Sequence, residues 1–143
     1  MKALSVKQPW AYLLLAGVIL PGIPPKRIEN RDWPLPSTFK LPQTILIHAS
    51  KTLDLDAWEW IDRNIGWELG AHLDLMDNKH EFPLGAIIGK TDIVGQMSGE
   101  RAIHPGTPAI WYVGKFGFVT DNPAFLPEPI PYRGQLGFFE VNL

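Results

Sequence analysis

The chain has 143 residues, the size of one domain, and its 45% apolar and 20% charged side chains exclude wholesale disorder. It has no cysteine, which excludes disulfides, thiolate metal sites and cysteine nucleophiles. A formal net charge of −2 excludes a protein that coats nucleic acid through uniform basicity.

Lys2–Val6 is a β-prone start. Pro9 stands at a first helical position and Gly17 at a stop, so a short helix is expected over 9–17. Its apolar stretch, Ala11 to Gly17, is far too short to span a membrane. No apolar run follows Met1-Lys2-Ala3, so no signal peptide, no membrane and a cytoplasmic location are expected. Residues 19–25 carry Pro21, Gly22, Pro24 and Pro25 and read as an irregular loop, and 26–33 as extended chain between prolines. Gln43–Ser50 is β-branched and apolar and reads as a buried strand. Thr52 or Asp54 can cap a helix through residue 65, with Leu55, Trp58, Ile61 and Ile65 at helical spacing, and a weaker helix is expected over 67–77. Pro83 ends that region. Strands are expected over 84–95, over 109–116 and, after a link containing Pro123, Pro127, Pro129 and Pro131, over 135–143. No repeat or linker divides the chain. The sum is one α+β domain over 1–143, a small β-barrel with helices packed at its side.

Two local matches to known motifs fail on physical grounds. Gly85 to Thr91 has three residues where a phosphate-binding loop needs four, and they are strand formers. Ser37-Thr-Phe-Lys40 lies between Pro36 and Pro42 with no helix to bring serine and lysine to one face. His48, His72, His80 and His104 show no ligand spacing, so neither a metal nor another cofactor is expected.

The charge is unevenly placed. Residues 1–51 carry seven basic and two acidic side chains, and residues 52–82 two basic and eight acidic. This predicts a polar cleft facing an anion, with a solvated acidic face elsewhere. Three segments gather chemistry: Ser5-Val-Lys7-Gln8-Pro9-Trp10, Lys26-x-x-Glu29-x-Arg31-x-Trp33 and His48-Ala-Ser50-Lys51. In extended chain Glu29 and Arg31 share a face and Lys26 points the other way, unless a bulge or turn intervenes. The Glu29 carboxylate can then hold the Arg31 fork for a phosphate or a base edge, or the pair can simply brace the loop. His48 reads either as a hydrogen-bonded core histidine or as a site residue. The six tryptophans read as core, with one or two available to stack bases.

These segments together, with Ile-x-Ile-His-Ala-Ser-Lys, Gly85-Ala-Ile-Ile-Gly89, Trp111 and the ending Pro129-Ile-Pro-Tyr-Arg133-Gly-Gln-Leu-Gly137-Phe-Phe, resemble the ASCH domain, a family of the PUA-like group of small barrels. The resemblance covers nearly the whole chain. It implies a cleft on the barrel that binds RNA or a nucleotide-like ligand, bordered by Lys26, Glu29 and Arg31. The family's glycine two positions before the lysine is missing, and the insertion Ile19–Pro25 falls where it can reshape the cleft mouth. A related branch hydrolyses acetylated cytidine with a threonine where Glu29 stands here, so that activity is not implied.

Three functions follow as expectations. The first is binding of RNA or a modified nucleotide by Lys7, Gln8, Trp10, Lys26, Glu29, Arg31, Trp33, Ser50 and Arg133, with affinity falling steeply with salt. The second is a metal-independent ribonuclease on single-stranded RNA, with Lys26, Glu29, His48 and Lys51 sharing the roles of base, acid and cation. The third is a protein-interaction domain in transcription or RNA metabolism.

Overall fold

The structure, a computed structural model, describes residues 1–99 and 109–143. It is α+β, with a six-stranded mixed sheet and three helices. The strands are β1 (Lys2–Gln8), β2 (Ile28–Arg31), β3 (Gln43–Leu53), β4 (Ala86–Ser98), β5 (Phe116–Pro131) and β6 (Phe138–Glu140). The helices are α1 (Trp10–Ala16), α2 (Ala57–Asn64) and α3 (Trp67–Asn78). Strand order is β2-β5-β4-β3-β1-β6, with β1 parallel to β3 and the other pairs antiparallel. Three register shifts between β4 and β5 and one between β3 and β4 bend the sheet, because each extra residue kinks its strand. Among the described residues the ladder does not close into a barrel: β2 and β6 are its edges.

Helix α1 lies against the inner face of this curl. Leu14 and Leu15 pack with Leu4, Val6, Ile45, Ile47, Ile88 and Phe118. Gly89 permits the close approach, since a Cβ there would stand 2.5 Å from both the Ala124 carbonyl oxygen and Leu15 Cδ1. On its other side α1 presents Leu13 to a second cluster holding Ile61, Leu69 and Leu73 of the α2–α3 pair. The outer, acidic side of that pair, including Glu59, Asp62, Glu68 and Asp74, is exposed, the solvated acidic face expected from the charge distribution. No helix among the described residues is long and apolar enough to cross a membrane.

Three sequence expectations are corrected. Residues 109–116 do not form a strand: Ala109–Trp111 is a 3₁₀ turn that buries Trp111, and the strand begins only at Phe116. The proline-rich link is itself the second half of β5. It escapes the usual proline penalty because β5 pairs with β2 only over Phe116–Val119 and is an edge beyond that. Tyr132 N–H donates to the Gly85 carbonyl at 3.1 Å and Pro131 is the register partner of Ala86, so at this end the Tyr132 amide faces β4 and Pro131 faces outward. The final strand is also shorter than expected, Phe138–Glu140.

Candidate functional site

The site lies where the sheet fails to close. Strand β6 pairs only with Lys2–Leu4, so the second half of β1 is unpaired on that side. Arg31, at the end of β2, reaches across and donates from Nη2 to the Ser5 carbonyl oxygen at 2.7 Å. Trp33 meets Phe138 edge-on at 5.7 Å across the same gap. The opening is a cleft of about 870 Å³ lined by β1, β2, the start of α2 and the turn Gly134–Gly137.

A charged row forms its floor. Glu29 Oε2 accepts from Arg31 Nε at 3.0 Å, as the shared strand face predicts. Lys26 does not point away: β2 starts only at Ile28, so Lys26 sits in the preceding loop and curls back, donating to the Ile28 carbonyl and to Glu29 Oε1 at 3.4 Å. Lys26 is 4% exposed. Burial pushes its pKa down, Glu29 pulls it back up only in part, and Arg31 adds to the lowering. The row is strung between two aromatic faces, with Lys26 Nζ 5.7 Å from the centre of the Trp10 ring and the Arg31 guanidinium 5.7 Å from that of Trp33. Trp10, Trp60 and Trp111 then continue as one wall, with successive centroids at 5.8 and 6.0 Å. Trp10 is fixed by its Nε1–H to Asp54 at 2.8 Å, and Trp111 by its Nε1–H to the Pro24 carbonyl at 2.9 Å.

A second group stands on β1 and β3. Ser5 is the register partner of His48, and Ser50, two residues on, shares the His48 face. Ser5 Oγ is 2.8 Å from His48 Nδ1 and 3.0 Å from Ser50 Oγ. His48 Nε2 lies 2.7 Å from the Tyr132 carbonyl. A carbonyl only accepts, so Nε2 carries the proton; in the neutral ring Nδ1 is then the acceptor for the Ser5 hydroxyl.

Of the residues expected at the site, the cleft gathers Lys7, Trp10, Lys26, Glu29, Arg31, Trp33 and Ser50. Gln8 is fully buried and bonded elsewhere, accepting from the Tyr12 amide at 2.8 Å and donating to the Pro83 carbonyl, so it holds the start of α1 rather than a ligand. His48 is 1% exposed and meets the cleft only through Ser5. Lys51 and Arg133 are exposed but outside the lining, Lys51 lying beside Gly85. Residues 1–51 supply the floor, as their basic excess predicts, yet the lining is mixed. Among the described residues it has cations at Lys7, Lys26 and Arg31 and carboxylates at Glu29, Asp32, Asp54 and Asp56.

Sequence reasoning missed Ser5, Asn30, Asp54, Trp60 and the turn Gly134–Gly137 as site residues. Asn30 accepts from the Val113 and Gly114 amides and donates to the Trp111 carbonyl, which seats the 111–114 segment on β2. Only Ser5 left a local signal, its alternation with Lys7 along β1. Of the histidines, His72 bonds Tyr12, His80 is exposed, and His104 lies outside the described residues. Among the described residues no three histidine, aspartate or glutamate side chains are grouped as metal ligands. No family model matches the chain.

Proposed function

We propose that the cleft binds RNA or a nucleotide-like ligand by taking in one unstacked base. The observation that carries this reading is the Lys26–Glu29–Arg31 row strung between Trp10 and Trp33. A flat heteroaromatic ring gains about 1–3 kcal/mol from stacking on an aromatic face, whatever the base. The Arg31 fork, oriented by Glu29, offers donors to a base edge or a phosphate, and the carboxylates of the lining accept from exocyclic amino groups. A cleft of about 870 Å³ falls in the range that encloses small ligands. On this reading the curled sheet is an opened PUA-like barrel, and the linked motifs mark an ASCH-like domain.

The second reading, a metal-independent ribonuclease, is favoured by Lys26. It stands 3.4 Å from the Glu29 carboxylate on the cleft lining, a cation and a carboxylate side by side where a phosphodiester would sit. His48 would then act only through Ser5.

One titration separates these readings. The tryptophans of the lining report occupancy, so their fluorescence is followed as nucleosides or single-stranded RNA are added in EDTA. Saturable quenching with RNA recovered intact supports the binder. Fragments ending in 2′,3′-cyclic phosphate establish the ribonuclease. No quenching by either ligand rejects both and leaves the protein-interaction domain.

A further inference from the structure

The Ser5–His48 pair is not used by base binding, and its geometry has a chemistry of its own. An activated serine needs a base within hydrogen-bond reach and a third group that fixes the base. Ser5 Oγ has His48 Nδ1 at 2.8 Å, and His48 Nε2–H is held by the Tyr132 carbonyl at 2.7 Å. The imidazole lone pair is thereby aimed at the Ser5 hydroxyl, which lines the cleft, while the ring itself is buried from water. The site also supplies a cation. Arg31 lines the same cleft and donates to the Ser5 main-chain carbonyl, so a guanidinium borders the space in front of the hydroxyl. Gly134 closes over the pair: a Cβ there would stand 2.8 Å from His48 Cε1 and 3.0 Å from Ser5 Oγ. Glycine alone covers the histidine without obstructing the hydroxyl.

We propose that Ser5 is an acyl-accepting nucleophile with His48 as its general base, and that the cleft hydrolyses carboxylic esters carrying a flat aromatic or heteroaromatic group. Ser5 Oγ bonds to the ester carbonyl carbon as its proton passes to His48 Nδ1. The ester C–O bond breaks, and the leaving alkoxide takes that proton and departs as the alcohol. Water then attacks the acyl–Ser5 carbonyl and gives a proton to His48. The bond to Oγ breaks, Ser5 recovers the proton, and the acid is released. Tyr132 positions the imidazole throughout. The tryptophan wall supplies the surface for the flat group.

The test is covalent labelling of the intact protein with a fluorophosphonate, with the modified residue mapped by mass spectrometry, beside hydrolysis of p-nitrophenyl acetate. Labelling at Ser5, lost in Ser5→Ala and in heat-denatured protein, is the expected result. The ester turnover of Ser5→Ala is expected to fall to that of the denatured control, and His48→Gln to label at least tenfold more slowly. An unlabelled wild type, or a label on another residue, overturns the proposal whatever happens to the His48 variant. Neither readout depends on affinity for bases, so the two proposals fail separately.

Discussion

At the scale of single residues, Lys26 shows how burial and charge compete. Its ammonium has Glu29 beside it, but desolvation outweighs that attraction and Arg31 repels it, so its native pKa lies below the ordinary 10.5. The sign follows from proton counts. Between the native and unfolded values the unfolded chain binds more protons, so stability rises with pH through that window, and below it the full cost is present. Lys26→Met removes the cost. The difference in unfolding midpoint between this variant and wild type is expected to shift in wild type's favour as the pH rises toward 10.5. A difference that does not change with pH would mean that the buried ammonium carries no such cost. The Glu29–Arg31 pairing was legible because two residues apart on a strand means one face. The position of Lys26 was not, since it depends on where the strand begins. Nor could local pattern show that Gln8 holds a helix start or that His48 faces Ser5. The first depends on a contact to Pro83, far along the chain, and the second on the parallel pairing of β1 with β3, across more than forty residues.

Among elements, α1 was the most legible, because Pro9, Gly17 and the apolar residues between them agree. Its contact with the sheet depends on Gly89. In Gly89→Ala the new methyl would meet the Ala124 carbonyl and Leu15 at 2.5 Å, one of them backbone that cannot rotate away. The expected loss is about 1–3 kcal/mol, the usual cost of overpacking, read as a lower urea midpoint with unchanged slope. An unaltered midpoint would mean that α1 can lift off the sheet freely. The β5 prolines misled for the opposite reason. Composition signals a break, but a strand with one free edge loses no ladder bond to a proline facing outward. The 109–116 segment misled because a buried tryptophan in a 3₁₀ turn resembles a strand residue in hydropathy alone.

At the scale of the whole molecule, the asymmetry between a basic first third and an acidic second third was visible from the start. The sequence could not show that the acidic third returns Asp54 and Asp56 to the cleft beside Lys7, Lys26 and Arg31. For the proposed binder, that mixture favours a shallow salt response over the steep one expected from sequence. Single-stranded binding loses about 0.7 in log–log slope per neutralised phosphate, and among the described residues the lining offers Lys7 and Arg31 to meet one, so a slope of about 1–2 is expected. Titrating a short RNA against potassium chloride measures it, and a slope above about 4 would mean a phosphate track running beyond the cleft. The prolines of β5 have a last consequence at this scale. A sheet edge is normally a template on which a second chain can zip up, and such templating is how sheets aggregate. Pro127, Pro129 and Pro131 have no amide N–H to offer, so an incoming strand would find few donors along this stretch. The longest described strand is in this way a poor template for another copy over its proline-rich half, and its curled sheet can stay open at the cleft without inviting a strand along that stretch.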